Sequence, residues 1–195
     1  ALPILFDAIE IRGALEGLAA RFAAERRPGR EQLAPLGECL RDLDAVVDSG
    51  LHNELAFSRY MALNAHFHAL ILGLAGSPPL ARQLERASAL PFASPSGFVA
   101  VQARLPDSHR LLAIAQDQHR CVVEAITAGE SARAAAIMEE HARLAGRNLR
   151  LALRSEQALE LVPGHTLIRT GSAGKGAGRP TSAGPEFRDQ SGGTT

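Results

Sequence analysis

From residue 4 to about residue 157, apolar side chains, chiefly Ala and Leu, return at three- and four-residue steps. Each run stops at a Gly or Pro cluster: PGR at 28–30, DSG at 48–50, GSPPL at 76–80, PFASPSG at 91–97, and Gly129. A step of three to four residues keeps one face of a helix apolar, whereas a half-buried strand needs a step of two. Composition agrees, because 46% hydrophobic residues with only 4% aromatics and no Trp suit closely packed helices better than sheets. The expected fold is all-α, an antiparallel bundle of six to seven helices.

The breaks divide the chain into helices over residues 4–26, 30–47, 51–75 and 79–90, a further segment from about 98, and helices over 106–128 and 131–157. Gly129 suits the position just past a helix end, and so short a turn forces the two helices beside it to pack together. Residues 161–195 are rich in Gly, Ser, Thr and Pro with little to bury, and are expected to form a disordered tail to a single domain at 1–160. A chain of 195 residues can bury a core without disulfide staples. Cys39 and Cys121, inside helical patterns and without metal-type spacing, are expected to be reduced core thiols.

The 21 basic and 21 acidic residues cancel, leaving no overall positive field to hold a nucleic-acid backbone or an anionic membrane. No apolar run approaches the roughly 18 residues that span a bilayer. The expected location is cytoplasmic, away from any membrane.

Against this background the polar residues on inner helix faces stand out. In NAHFHALILGLAGSPPL, Asn64 and His68 are four residues apart on the face that Phe67, Ile71, Leu72 and Ala75 continue. His119 shares a face with Leu112, Gln116, Val122, Val123 and Ile126, and His141 lies on the stripe of Ala134, Met138, Ala145 and Asn148. His66 turns away from its neighbours, and His52, His109 and His165 are expected at the surface. Three imidazoles and an amide buried without partners would cost about 1–3 kcal/mol each. Neutral imidazole is the commonest transition-metal ligand, so a divalent metal bound by Asn64, His68, His119 and His141 removes that cost.

These residues resemble the C-terminal effector-binding domain, the FCD domain, of GntR-type transcriptional regulators of the FadR branch. The likeness covers about residues 5–153 in four ordered elements. EIRGALEGLAARFAAER carries Glu10, Arg12, Leu15 and Glu16; NAHFHALILGLAGSPPL carries Asn64, Phe67 and His68; QHRCVVEAITAG carries His119; ARAAAIMEEHARL carries His141. The resemblance implies ligand sensing rather than catalysis: a homodimer with a divalent metal, zinc or nickel, at the floor of a cavity that takes a small carboxylate effector. The family usually has Asp where this chain has Asn64, which leaves the four expected ligands without a negative charge. That weakens metal affinity, strengthens the pull on an anion, and keeps open direct anion binding by the histidines without metal.

Arg12 can clamp a carboxylate in bidentate fashion, while Gln116 and Asn148, each near a histidine, can orient ligands or touch the effector. The family's winged helix-turn-helix normally precedes this domain, and residues before Ile4 do not form one. DNA contact is therefore expected only through an N-terminal domain absent from this chain, cut off or lost. A metal-dependent helical-bundle enzyme using the three histidines is the alternative, although Glu124 and Glu139 are expected to face solvent rather than the cluster. A plain interaction bundle is the third reading.

Overall fold

The computed structural model describes residues 2–50, 53–89 and 108–152. Six helices run in order: α1 (Leu2–Glu25), α2 (Arg30–Asp48), α3 (Glu54–Ala75), α4 (Pro78–Ser88), α5 (Ser108–Ala128) and α6 (Ser131–Ala152). There is no strand among the described residues. The all-α expectation therefore holds, and the described helices number six. The segment from about 98, the end of the last helix at 157 and the tail at 161–195 lie outside the described residues.

Local chemistry sets the helix ends. Asn53, not the region of Leu51, opens α3: its side chain accepts a hydrogen bond from Ala56 N at 2.8 Å, satisfying one of the donors a helix start leaves over. Gly76 closes α3 in the left-handed region at φ 52°, and Ser77 at once caps α4, whose Pro78 occupies the first-turn position that needs no amide hydrogen.

Helix α1 is the axis of the bundle. It packs most extensively along α6 and also touches α3, α4 and α5, while α2 lies across α3 and α5. Its buried face begins with Leu5, Ala8 and Ile9 and ends in Ala19, Ala20, Ala23 and Ala24. Leu15, Leu18 and Phe22 are only half-buried, and the deepest positions in the middle belong instead to Arg12 and Glu16. The remaining core comes from Leu36, Leu43, Tyr60, Phe67, Ile71, Val122, Ile126 and Met138. Cys39 is buried and donates its thiol to Leu63 O at 3.4 Å, Cys121 is half-buried, and both are free thiols.

Close approach of α1 and α6 depends on missing side chains. A β-carbon at Gly13 would stand 2.8 Å from Ala142 Cβ, and one at Gly17 would stand 2.7 Å from Glu139 Cγ. Going forward along α1, the partners on α6 run backward, from Arg143 beside Glu10 to Glu139 beside Gly17, so the two helices are antiparallel. We expect Gly13→Val to lose about 1–3 kcal/mol to overpacking, read as a lower midpoint in urea denaturation with an unchanged slope. A midpoint equal to that of the parent chain would contradict this packing.

Candidate metal and effector site

Four helices bring polar side chains to one place in the interior. Helix α1 supplies Arg12 and Glu16, α3 supplies Asn64 and His68, α5 supplies Gln116 and His119, and α6 supplies His141 and Asn148. All except half-buried His141 are at most 7% exposed. Each pair is spaced by three, four or seven residues, so ordinary helical periodicity turns both members inward once the rest of the face is apolar.

The imidazoles of His68, His119 and His141 converge, with one ring nitrogen of each lying within 4.8 Å of the others. His119 Nε2 and His141 Nε2 are 3.1 Å apart, and the His119 ring also rests on Phe67 with centroids 4.2 Å apart. Ligands about 2.0–2.1 Å from a tetrahedral zinc stand about 3.3 Å from one another. His119 Nε2 and His141 Nε2 already have about that spacing, and the third nitrogen, from His68, lies within 4.8 Å. Neither His68 Nε2 nor His141 Nδ1 has a hydrogen-bond partner among the described residues, although both are buried atoms. A donor set of three imidazoles, with unsatisfied nitrogens on His68 and His141, fits a borderline divalent ion such as zinc or nickel.

Hydrogen bonds around His119 determine where its proton sits. Gln116 Nε2 donates to Leu40 O at 3.2 Å and to Asp44 Oδ1 at 2.7 Å, so the amide oxygen faces His119 Nδ1 at 3.0 Å and must accept from it. The lone pair of His119 is thereby left on Nε2, facing His141, whose Nε2 donates the proton between them. Asp44 in turn accepts from Arg120 Nη2 at 2.6 Å. Both ends of the Gln116 amide are thus engaged by the protein.

Glu16 was absent from the expected site, and the structure places it there. Its Oε1 lies 3.0 Å from His68 Nδ1, and its Oε2 lies 3.7 Å from Arg12 Nη1 one turn away on α1. The four expected ligands lack negative charge, yet the interior does not. Burial pushes the Glu16 carboxyl up, but Arg12, then His68 and His141, outweigh it and hold the group at about 2. Arg12 is itself buried, so its partner is not the surface ion pair its sequence position allowed, and its Nε has no hydrogen-bond partner. Asn64 and Asn148 are buried on the same helix faces as His68 and His141.

The other histidines and acids divide as their faces dictate. His66 is exposed, while His52, His165 and the side chain of His109 lie outside the described residues. Glu124 is exposed and 3.8 Å from Arg133, and Glu139 is half-buried against Gly17. A carboxyl held as low as that of Glu16 is a weak base, so among the described residues the cluster has no strong proton acceptor beside it.

With this geometry in view, the comparison with known families is decisive. The FCD domain matches residues 7–144, and the chain belongs to that family. It is an effector-binding domain of the kind found at the C-terminus of GntR-type transcriptional regulators. A search of curated proteins finds no match. Among the described residues, no helix is long and apolar enough to cross a membrane.

Burial, then His141 and His68, lowers His119 well below its ordinary 6.5, and burial with His68 brings His141 down to about 3 against a smaller opposing pull from Glu16. Both are neutral in the folded chain but charged in the unfolded chain below pH 6.5, so the unfolded state binds more protons and acid destabilises the fold. Glu16 adds to this below its unfolded value of 4.5. For the metal-stripped chain, urea denaturation at pH 7.5, 6.0 and 5.0 should show stability falling below pH 6.5, with each imidazole contributing up to about 1.4 kcal/mol per pH unit. Equal stability at pH 7.5 and 5.0 would contradict it.

Proposed function

We propose that this chain is the sensor domain of a FadR-branch regulator, holding one divalent metal, zinc or nickel, and a small carboxylate effector in the same interior site. The observation that carries the reading is the convergence of His68, His119 and His141 from three helices, with unsatisfied ring nitrogens on His68 and His141. Those three residues, with Asn64 one turn before His68, would hold the ion. A bound divalent ion supplies fixed positive charge and open positions for a carboxylate oxygen.

The chain's own groups do the rest. Gln116 keeps the His119 lone pair on Nε2, and the proton between His119 and His141 would move to His141 Nδ1 when His141 turns its Nε2 to an ion, a change of tautomer that releases no proton. Arg12, with Nε unpartnered, would take a carboxylate from α1, and Asn148, buried on the His141 face of α6, would be a further contact for it. Because the groups come from α1, α3, α5 and α6, a ligand held by all of them favours one relative arrangement of four helices. An effector switches such a domain only to the extent that it binds two arrangements unequally. The remaining parts of the proposal are a homodimer and winged-helix domains whose spacing the arrangement controls. The domain limits of 1–160 and 161–195 belong to the same proposal.

Elemental mass spectrometry of the chain purified without chelator should find about one equivalent of zinc or nickel, and none in a His68→Ala, His141→Ala double variant. In the loaded chain, a panel of small mono- and dicarboxylates should raise the melting temperature, and Arg12→Lys, which keeps charge but loses the planar fork, should weaken the best of them about tenfold. Metal in neither protein, or no response to any carboxylate, would overturn the proposal.

A further inference from the structure

The carboxylate of Glu16 has a more specific place in the site than as a counter-charge to Arg12. It is 3% exposed, against 2% for Arg12, and its Oε1 lies 3.0 Å from His68 Nδ1, close but not aligned as a hydrogen bond. A neutral imidazole has one proton, and beside an ionised carboxylate that proton belongs on the facing nitrogen. Neither His68 nitrogen makes a hydrogen bond among the described residues, but only Nδ1 has a carboxylate oxygen 3.0 Å away, so a proton drawn to that side leaves the lone pair on Nε2. Gln116 does the same for His119 from the other side of the cluster, with its oxygen 3.0 Å from Nδ1. Two imidazoles on two helices are thus held by outer partners in the same tautomer, each with Nε2 free of its own proton. Arg12 backs Glu16 at 3.7 Å, fixing the carboxylate and keeping it ionised in a low-dielectric interior. None of Asn64, His68, His119 and His141 is anionic when an ion is bound, so the nearest negative charge is this one.

We propose that Glu16 is a positioning residue of the metal site: it holds the His68 proton on Nδ1, presents His68 Nε2 to the ion, and balances part of the ion's charge through the ring. The inference rests on the metal reading above. Groups of this kind around a metal typically change affinity by about 10- to 100-fold when removed.

The test begins with the metal-stripped, 15N-labelled chain, in which long-range proton–nitrogen spectra of the imidazoles report the tautomer directly. His68 should be protonated at Nδ1, Glu16→Ala should shift the proton towards Nε2, and Glu16→Gln, whose amide oxygen can still accept, should restore Nδ1. Zinc affinity, measured by competition with a chromophoric chelator, should fall about 10- to 100-fold in Glu16→Ala and less in Glu16→Gln. His68 protonated at Nε2 in the parent chain, or equal zinc affinity in folded Glu16 variants, would overturn the inference. A Glu16→Ala chain that does not fold leaves the parent spectrum and the Gln variant to decide. A parent chain that takes up no zinc overturns the metal reading instead, and the spectra still decide whether Glu16 sets the proton of His68.

Discussion

An ionised carboxylate inside a helical bundle must find compensation within a few ångströms, and in this chain Glu16 finds it in Arg12 on one side and His68 on the other. Removing one member of a buried pair typically costs about 3–5 kcal/mol, because the other is left charged and dry. With one of the two charges inward, the rotation of helix α1 must therefore bring the other inward as well. That rotation turns Leu15, Leu18 and Phe22 partly outward and Ala19, Ala20, Ala23 and Ala24 into the deepest positions. Small side chains there, with Gly13 and Gly17 facing α6, let neighbouring helices approach closely enough for His68 and His141 to meet.

The polar interior is arranged in two tiers. Inside are three imidazoles with converging nitrogens; outside are Glu16, Gln116 and, through Gln116, Asp44 and Arg120. The outer tier reaches solvent on one side only: Arg120 is 42% exposed, whereas Arg12 and Glu16 are enclosed. A buried network is worth most when each member is satisfied, and among the described residues both nitrogens of His68, His141 Nδ1, Arg12 Nε and both oxygens of Glu16 lack a hydrogen bond in one interior cluster, with Gln118 Oε1 apart from it. That concentration separates a binding site from a core with incidental polar residues, and it matches membership of a family of effector-binding domains.

Much of the architecture could be read from the chain itself, since Ala- and Leu-rich runs interrupted by Gly and Pro leave few alternatives to packed helices. The start of α3 was misjudged at Leu51 because apolar periodicity weighs residues by hydropathy, while the side chain of Asn53 decides the boundary. His68, His119 and His141 were legible because each sits on an apolar stripe of its own helix. Glu16 was not, because a charged residue four after an arginine reads as half of an exposed helical ion pair. A signal did exist: continuing the stripe of Leu5 and Ile9 at helical steps reaches Arg12 and Glu16 before Ala19 and Ala23. The 3.1 Å approach of His119 to His141 had no such signal, because it depends on how α5 and α6 cross rather than on either sequence.

X-ray absorption at the metal edge of the loaded chain measures the central claim most directly, since it counts imidazole ligands and their distances. The account predicts three imidazole nitrogens at about 2.0–2.1 Å for zinc, falling to two in His141→Ala. A shell with one imidazole or none would place the ion elsewhere and contradict it.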